Sequence, residues 1–419
     1  MKRLAIIVSV LVAFGMLASC GKKEPVTLKY AFWGNPDAIG VEKEIIDAFE
    51  AKNPDVKVTP IAVAYNDYHA KLLIMIAGGQ APDVMRVDSY FFQDFMKNKA
   101  LKDITGLIKT NKFDISKLYS VGLQDVQSDG KFYGLPWGTA PLYMFLNKKM
   151  FADAGIPLPA NNWTYEDLVA LSKKLSKGEG ENKQWGFGFY LGEINGILPF
   201  VWGAGGDLFD KARTKFTMTD KAVTDRLDDV LLTNVKNGAF TSPFTFQKAD
   251  DIMRYFSQNK VAMMMGSAAT ILSLQKIDGC DFAVAPFPGT ANVPAVTVYK
   301  SNIVGLSAGT KQEKAAWKFL AFLRGPEGET LYMKAKRMAP TYDEQTYWDM
   351  YADTTKPPAK IKEITQEISA KYGRILPLRA GWMEVQTIVM GALQKVVAGQ
   401  ATSAQTLSEV APKVQAVIK

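Results

Sequence analysis

The chain has 419 residues, of which 47% are hydrophobic and 22% charged, ordinary proportions for a globular protein long enough for two or three domains. Its formal net charge of +8 is dispersed, with no run of five basic side chains, which argues against a nucleic-acid partner. Its cysteines are Cys20 and Cys280 and its single histidine is His69, so neither a disulfide framework nor a His/Cys metal cluster is expected.

Met1-Lys2-Arg3 is a basic start, Leu4 to Met16 is apolar, and Leu17-Ala18-Ser19 runs into Cys20-Gly21. That order reads as a secretory signal over 1–19, and the cysteine at its end looks like a bacterial lipobox, with Cys20 the lipidated first residue of the mature chain. The apolar stretch is short for a bilayer span, and no later segment has about 18 uninterrupted apolar residues. Loss of Lys2 and Arg3 leaves 48 basic against 42 acidic side chains, or +6. Cys280 then has no partner and reads as a buried, inert thiol.

A polar tether over 20–27 precedes the first element. Leu28, Tyr30 and Phe32 alternate as a strand that ends at Trp33-Gly34-Asn35-Pro36. Val41, Ile45, Ile46 and Phe49 have helical spacing up to Asn53-Pro54. Val56 to Ile61 is a second strand. Asn66 is the expected cap of a helix carrying Leu72, Leu73 and Ile76, and Asp83 to Val87 is a third strand. This βαβ order predicts an α/β fold with mainly parallel sheets, whose ligands bind beyond the carboxyl ends of the strands. Farther on, Leu142 to Leu146, Gln184 to Tyr190, Val261 to Met265, Phe282 to Ala285 and Val296 to Leu306 read as strands. Thr164 with Asp167 caps a helix, Val223 to Leu231 and Gln312 to Leu323 are helical, and the chain after Asp343 is mostly helix.

Catalytic signatures are scarce. Gly305-Leu306-Ser307-Ala308-Gly309 fits a nucleophile elbow, but the base such a triad needs would follow the serine, and His69 precedes it. His69 reads as a surface or packing residue. Asp228-Asp229 and Asp250-Asp251 read as solvated helix surface rather than as a glycosidase pair. No loop cradles phosphate and no cofactor is expected. What the chain does place at strand ends and turns is aromatic: Trp33, Tyr65, Tyr90, Trp137, Trp202, Tyr299 and Trp382. Polar groups accompany them at Asn35, Asp37, Asp67, Asp88, Asn302 and Arg379. Flat rings suit the C–H faces of sugars, and carboxylates, amides and guanidinium suit their hydroxyls.

These segments resemble the bacterial extracellular solute-binding proteins of the maltose-binding type. The resemblance rests on Phe32-Trp33-Gly34, Ile45-Ile46-Asp47-Ala48-Phe49-Glu50 and Ala81-Pro82-Asp83-Val84. Gly130-Lys131-Phe132-Tyr133-Gly134-Leu135-Pro136, Asn147-Lys148-Lys149-Met150-Phe151 and Trp163-Thr164-Tyr165-Glu166-Asp167-Leu168 follow in family order. Phe256 to Gly266 and Ala315-Ala316-Trp317-Lys318-Phe319-Leu320 complete it. The resemblance implies two lobes joined by hinge crossovers near 137–140, 285–288 and 339–340, with the ligand between them. Lobe 1 would comprise 28–138 and 289–338, and lobe 2 would comprise 139–288 and 339–419.

It further implies a lipid-anchored monomeric receptor in the cell envelope. Such a receptor captures a carbohydrate by closing and delivers it to an ABC transporter permease. Family position makes Trp33, Asp88, Trp202 and Trp382 ligand contacts and lets the backbone of the Gly203–Gly206 loop, Gly205 included, approach the sugar. Ser267 stands where the family often has a tryptophan close by, and Leu146 where it usually has tyrosine. A polyol, glycerol phosphate or polyamine ligand remains an alternative, as do an exported glycosidase and a structural envelope lipoprotein. A polyamine would call for several carboxylates, and a phosphate ester for clustered cations, with Arg379 and Arg337 as candidates.

Overall fold

The computed structural model describes residues 24–34, 36–138, 141–246, 249–353 and 355–418. The expected leader, Cys20, Asn35 and the Thr139-Ala140 crossover lie outside them.

The first half of the chain builds one sheet. β1 (Val26–Trp33), β2 (Val56–Val63) and β3 (Val84–Val87) pair in parallel, joined by α1 (Pro36–Lys52) and α2 (Tyr65–Ala77). The alternation in β1 sends Leu28, Tyr30 and Phe32 into one core and Ala31 into the core on the opposite face. β4 (Leu135–Trp137) closes the sheet, with the chain crossing over at Gly138. Gly138 holds φ +71, and a Cβ there would sit 3.1 Å from the Met338 Cβ, so the crossover favours glycine.

The second sheet uses β5 (Leu142–Asn147), β6 (Trp185–Gly188), β7 (Val261–Ser267) and β8 (Phe282–Ala285), in the order β8-β5-β7-β6. Between β5 and β6, α4 (Tyr165–Leu175) starts with the capping box expected from Thr164 and Asp167. The short helix α5 (Ala268–Leu274) follows β7 directly.

The expected strand over 296–306 is two strands in two different sheets. β9 (Thr297–Tyr299) pairs with β11 (Gly373–Ile375). β10 (Asn302–Leu306) enters the first sheet between β3 and β4. The break is held from a distance. The Ser301 N–H donates to Asp125 at 2.8 Å, and the Ser301 hydroxyl donates to the Gly138 carbonyl at 2.8 Å. Phe287, Val296 and Val298 belong to the core of the second sheet, whereas β10 lies in the first sheet.

Both sheets are mixed rather than mainly parallel. β10 pairs antiparallel with β3 and β4, and β5 pairs antiparallel with β7 and β8. A strand that returns from the other lobe needs no right-handed βαβ crossover and is free to enter in the opposite sense. The C-terminal helices α6 (Trp382–Val397) and α7 (Ser403–Val417) pack into the core of the second lobe. Asn66 is not a cap: Ala64 occupies that position at the start of α2 and makes no side-chain cap bond.

Candidate functional site

The carboxyl ends of β1, β3 and β4 converge on an aromatic wall. Trp33, the last residue of β1, stands edge-on to Tyr65 (5.8 Å between centroids), Tyr68 (5.4 Å) and Trp137 (6.2 Å). Gly34 makes the turn into α1, and a Cβ there would come within 2.5 Å of the Ala38 Cβ. A charge lies behind the wall. The Arg86 guanidinium sits 3.8 Å from the Trp137 ring centroid and 5.2 Å from that of Trp33. Glu42, also buried, pairs with Arg86 and accepts bonds from the hydroxyls of Tyr332 (2.8 Å) and Tyr30 (3.2 Å). A buried guanidinium needs such a partner, and its delocalised charge suits the faces of two indoles.

Asp88 ties this wall to the hinge. It caps α3 (Ser89–Lys97) by accepting from Tyr90 N, and it accepts from the Tyr65 hydroxyl at 3.2 Å. The Lys300 ammonium pairs with it at 2.9 Å and also lies 3.7 Å from the Tyr90 ring centroid. The Asp88 N–H donates to His69 Nε2, and the His69 ring stacks on Phe91 at 3.9 Å. Burial disfavours the imidazolium and lowers its pKa to about 4, despite the opposing pull of Asp88. His69 is therefore a neutral acceptor that positions Asp88. From the same lobe, the Tyr90 hydroxyl donates to Glu193 (2.9 Å) and accepts from Asn195 (3.0 Å), two residues of the opposite lobe.

Three adjoining cavities lie at the seam or beside it, the first lined by the second lobe alone and the other two by both lobes. One of about 390 Å³ is lined by Tyr190, Glu193, Asn195, Asp250, Met264, Met265 and the start of α5. A second, about 350 Å³, lies between Trp137, Asn302, Lys300 and α5. They share Ser267, Ala269 and Ser273. A third, about 530 Å³, shares Leu272, Lys276, Lys336 and Arg337 with the second. The volumes are those of small-molecule sites. Trp137 Nε1 and Asn302 Oδ1 are buried without a hydrogen-bond partner among the described residues. A buried unpaired donor and a buried unpaired acceptor beside one cavity are costly unless something completes them.

Of the residues expected at the site, Trp137, Asn302 and Ser267 line the second cavity and Asp37 lines the third. Trp33, Tyr65 and Asp88 form the adjoining wall. Asn35 lies outside the described residues. The others are elsewhere. Trp202 is 1% exposed, donates its indole N–H to Asp207 at 2.8 Å and carries Arg374 over its ring. Trp382 is fully buried in the second lobe, stacked behind Tyr90 at 6.1 Å. Tyr299 is buried in β9. Arg379 donates to the Ile418 carbonyl and lines a separate cavity near the C-terminus. Gly205, with φ +81, makes the turn after the helix Leu198–Gly203 and lines none of the three cavities.

Lys300, Glu193, Asn195, Lys276 and Lys336 were not expected at the site. The signal for Lys300 is the polar Lys300-Ser301 pair inside an otherwise apolar run. Cys280 is a free, half-buried thiol whose pKa burial pushes up to about 11, as suits an inert cysteine. Ser307 is buried and its hydroxyl accepts the Gly309 N–H, a turn contact.

The profile of the bacterial extracellular solute-binding proteins matches residues 36–330. The chain belongs to this family. A putative binding protein of Brucella abortus is 25% identical over 384 residues, covering 90% of this chain and 89% of the relative. An uncharacterized lipoprotein of Streptomyces antibioticus is 27% identical over 350 residues, covering 81% and 75%. Among solved structures, an ABC substrate-binding protein of Listeria monocytogenes in complex with cycloalternan superposes with a TM-score of 0.80 at 24% identity, covering 94% of this chain and 99% of that one. The fold is thus the two-lobe architecture of periplasmic binding proteins, and two of its cavities are lined by both lobes of this solute-binding protein.

Proposed function

We propose that this solute-binding protein is a receptor for a carbohydrate, captured between the lobes by hinge closure and passed to the permease of an ABC importer. Lobe 1 comprises residues up to Gly138 together with 302–338, and lobe 2 comprises the remainder. The observation that carries the reading is the pairing of an aromatic wall with a cavity between the lobes. Trp33, Tyr65 and Trp137 offer apolar surface, and Trp137 and Asn302 line the adjoining cavity together with Ser267 and Ser273 of the opposite lobe. The cycloalternan bound by the Listeria protein and the lipoprotein character of the Streptomyces relative support a sugar ligand and a Cys20 anchor. Three acyl chains on Cys20 hold a receptor beside its permease far more durably than one would. No helix among the described residues is long and apolar enough to cross a membrane. A polyamine fits poorly, because Lys276, Lys336 and Arg337 would meet it as like charges.

The test is small-angle scattering of the protein with a panel of mono- and oligosaccharides, alongside thermal unfolding. A ligand raises the midpoint by mass action and closure lowers the radius of gyration. A panel that moves neither quantity at millimolar concentration contradicts the reading. Glu193 and Asp250 line the same cavity, the one observation that favours a glycosidase. Sugar release from glycosides that disappears in both Glu193→Gln and Asp250→Asn would replace the receptor reading with that one.

A further inference from the structure

We infer that the ligand carries an anionic group, a carboxylate, sulfate or phosphate on the sugar, seated in the second cavity against Lys276, Lys336 and Arg337. The inference rests on the receptor reading and narrows its substrate class. These three cations come from two regions of the chain, the end of α5 and the turn after the helix Pro326–Lys334. They line the second cavity, and none makes an ion pair among the described residues. The fourth cation of that cavity, Lys300, is already paired with Asp88. Among the described residues no carboxylate lines the second cavity.

Two acidic groups, Asp37 and Asp353, line the third cavity. Asp353 faces Lys356 and Lys336 there, but its carboxylate is chiefly engaged by the Thr355 hydroxyl and N–H, and Asp37 lines the same space. Lys334 and Lys356 add two further cations to that cavity. The balance across the two cavities is therefore positive, with Arg337 half-buried and Lys276, Lys336, Lys334 and Lys356 exposed at the cavity edge. An anion brought there by a ligand forms charge-assisted hydrogen bonds and relieves the repulsion.

A second observation is independent of charge. Trp137, 8% exposed, and Asn302 line the same cavity as the three cations, and behind that surface Trp137 Nε1 and Asn302 Oδ1 are buried without a hydrogen-bond partner among the described residues. One side of the cavity thus presents the Trp137 side chain and the other presents positive charge, and a neutral sugar would engage only the first.

The experiment is isothermal titration of the protein with matched pairs: galactobiose against digalacturonate, and glucose against glucose 6-phosphate and glucose 6-sulfate. Inorganic phosphate is the control for a bare anion. At least one acidic sugar is expected to bind about 10-fold or more tightly than its neutral counterpart, and to weaken as salt rises from about 50 to 300 mM. In the Lys276→Gln/Lys336→Gln double variant the acidic and neutral partners bind within about 2-fold of each other and the salt dependence disappears. A neutral sugar that binds as tightly as its acidic partner overturns the inference and leaves the receptor reading standing. Inorganic phosphate binding as tightly as the sugar phosphate overturns it too, because the site would then read only the anion. If no sugar of either kind binds, the receptor reading itself falls.

Discussion

The two walls of the seam are built on opposite plans. The wall from lobe 1 is made of large flat rings, Trp33, Tyr65 and Trp137, braced from behind by the buried Arg86–Glu42 pair and its tyrosines. The wall from lobe 2 is made of small or pliant side chains, among them Met264, Met265, Ser267, Ala269 and Thr270. Gly266 among them is sterically required, because a Cβ there would meet the Phe145 ring at 2.6 Å. Rings held by buried charge keep one geometry, whereas methionine and small residues repack around what they meet. On the receptor reading, lobe 1 selects the kind of ligand and lobe 2 accommodates its size.

The largest effect is expected from removing the brace. Glu42→Ala leaves Arg86 buried and unpaired, and should cost about 3–5 kcal/mol of stability in chemical denaturation. A loss below about 1 kcal/mol would mean that the aromatic wall does not depend on that pair.

The next effect is on the pH dependence of the same wall. His69 falls from 6.5 to about 4 in the folded protein, so the unfolded chain binds its proton first as pH drops. Its contribution is present above pH 6.5 and is lost as pH falls toward 4, an effect on the order of 2–3 kcal/mol. Asp125, raised by burial from 3.8 to about 7, has the opposite sign: its contribution is full below 3.8 and is lost as pH rises through 7. His69→Gln, which keeps an acceptor for the Asp88 N–H, should therefore lose less stability than the parent between pH 6.5 and 4.5. Asp125→Asn should make that acid loss steeper. Unfolding curves across the range decide both.

Smaller effects belong to the pliant wall. Ala269 is exposed and lines both the first and second cavities, so Ala269→Trp should weaken ligand binding about 10-fold or more while moving stability by less than about 1 kcal/mol. Met265→Leu, which keeps volume, should change affinity by less than about 3-fold. If the order of these two were reversed, lobe 2 would be a specific wall and the contrast between the lobes would fail.

Elements whose causes are local are readable in the sequence. The β1–α1–β2–α2–β3 run follows from alternation and helical spacing, and the capping box of Thr164 and Asp167 from a pattern of four residues. The break between β9 and β10 has a distant cause. Apolar residues continue on both sides of Lys300-Ser301, and what ends the strand is Asp125, 176 positions away. The same break brings Lys300 to Asp88. The family positions that pointed to Trp202 and Trp382 carry no record of what surrounds the rings. Here Asp207 and Arg374 enclose Trp202 in a local cluster, and the second lobe's core encloses Trp382. Arg337 was visible as a candidate cation. Its grouping with Lys276 was not, because folding joins segments about 60 residues apart.

The central claim is that the cavity beside Trp137 binds a carbohydrate. The most direct measurement is isothermal titration of the protein and its Trp137→Phe variant with neutral and acidic oligosaccharides. Phe keeps most of the ring and removes the indole N–H. The account predicts one ligand per chain for the parent, and an affinity about 5- to 10-fold weaker in the variant at equal stability, the worth of one hydrogen bond made to the ligand when the lobes close. Equal affinity in both proteins, or no heat from any sugar with the folded parent, would contradict it.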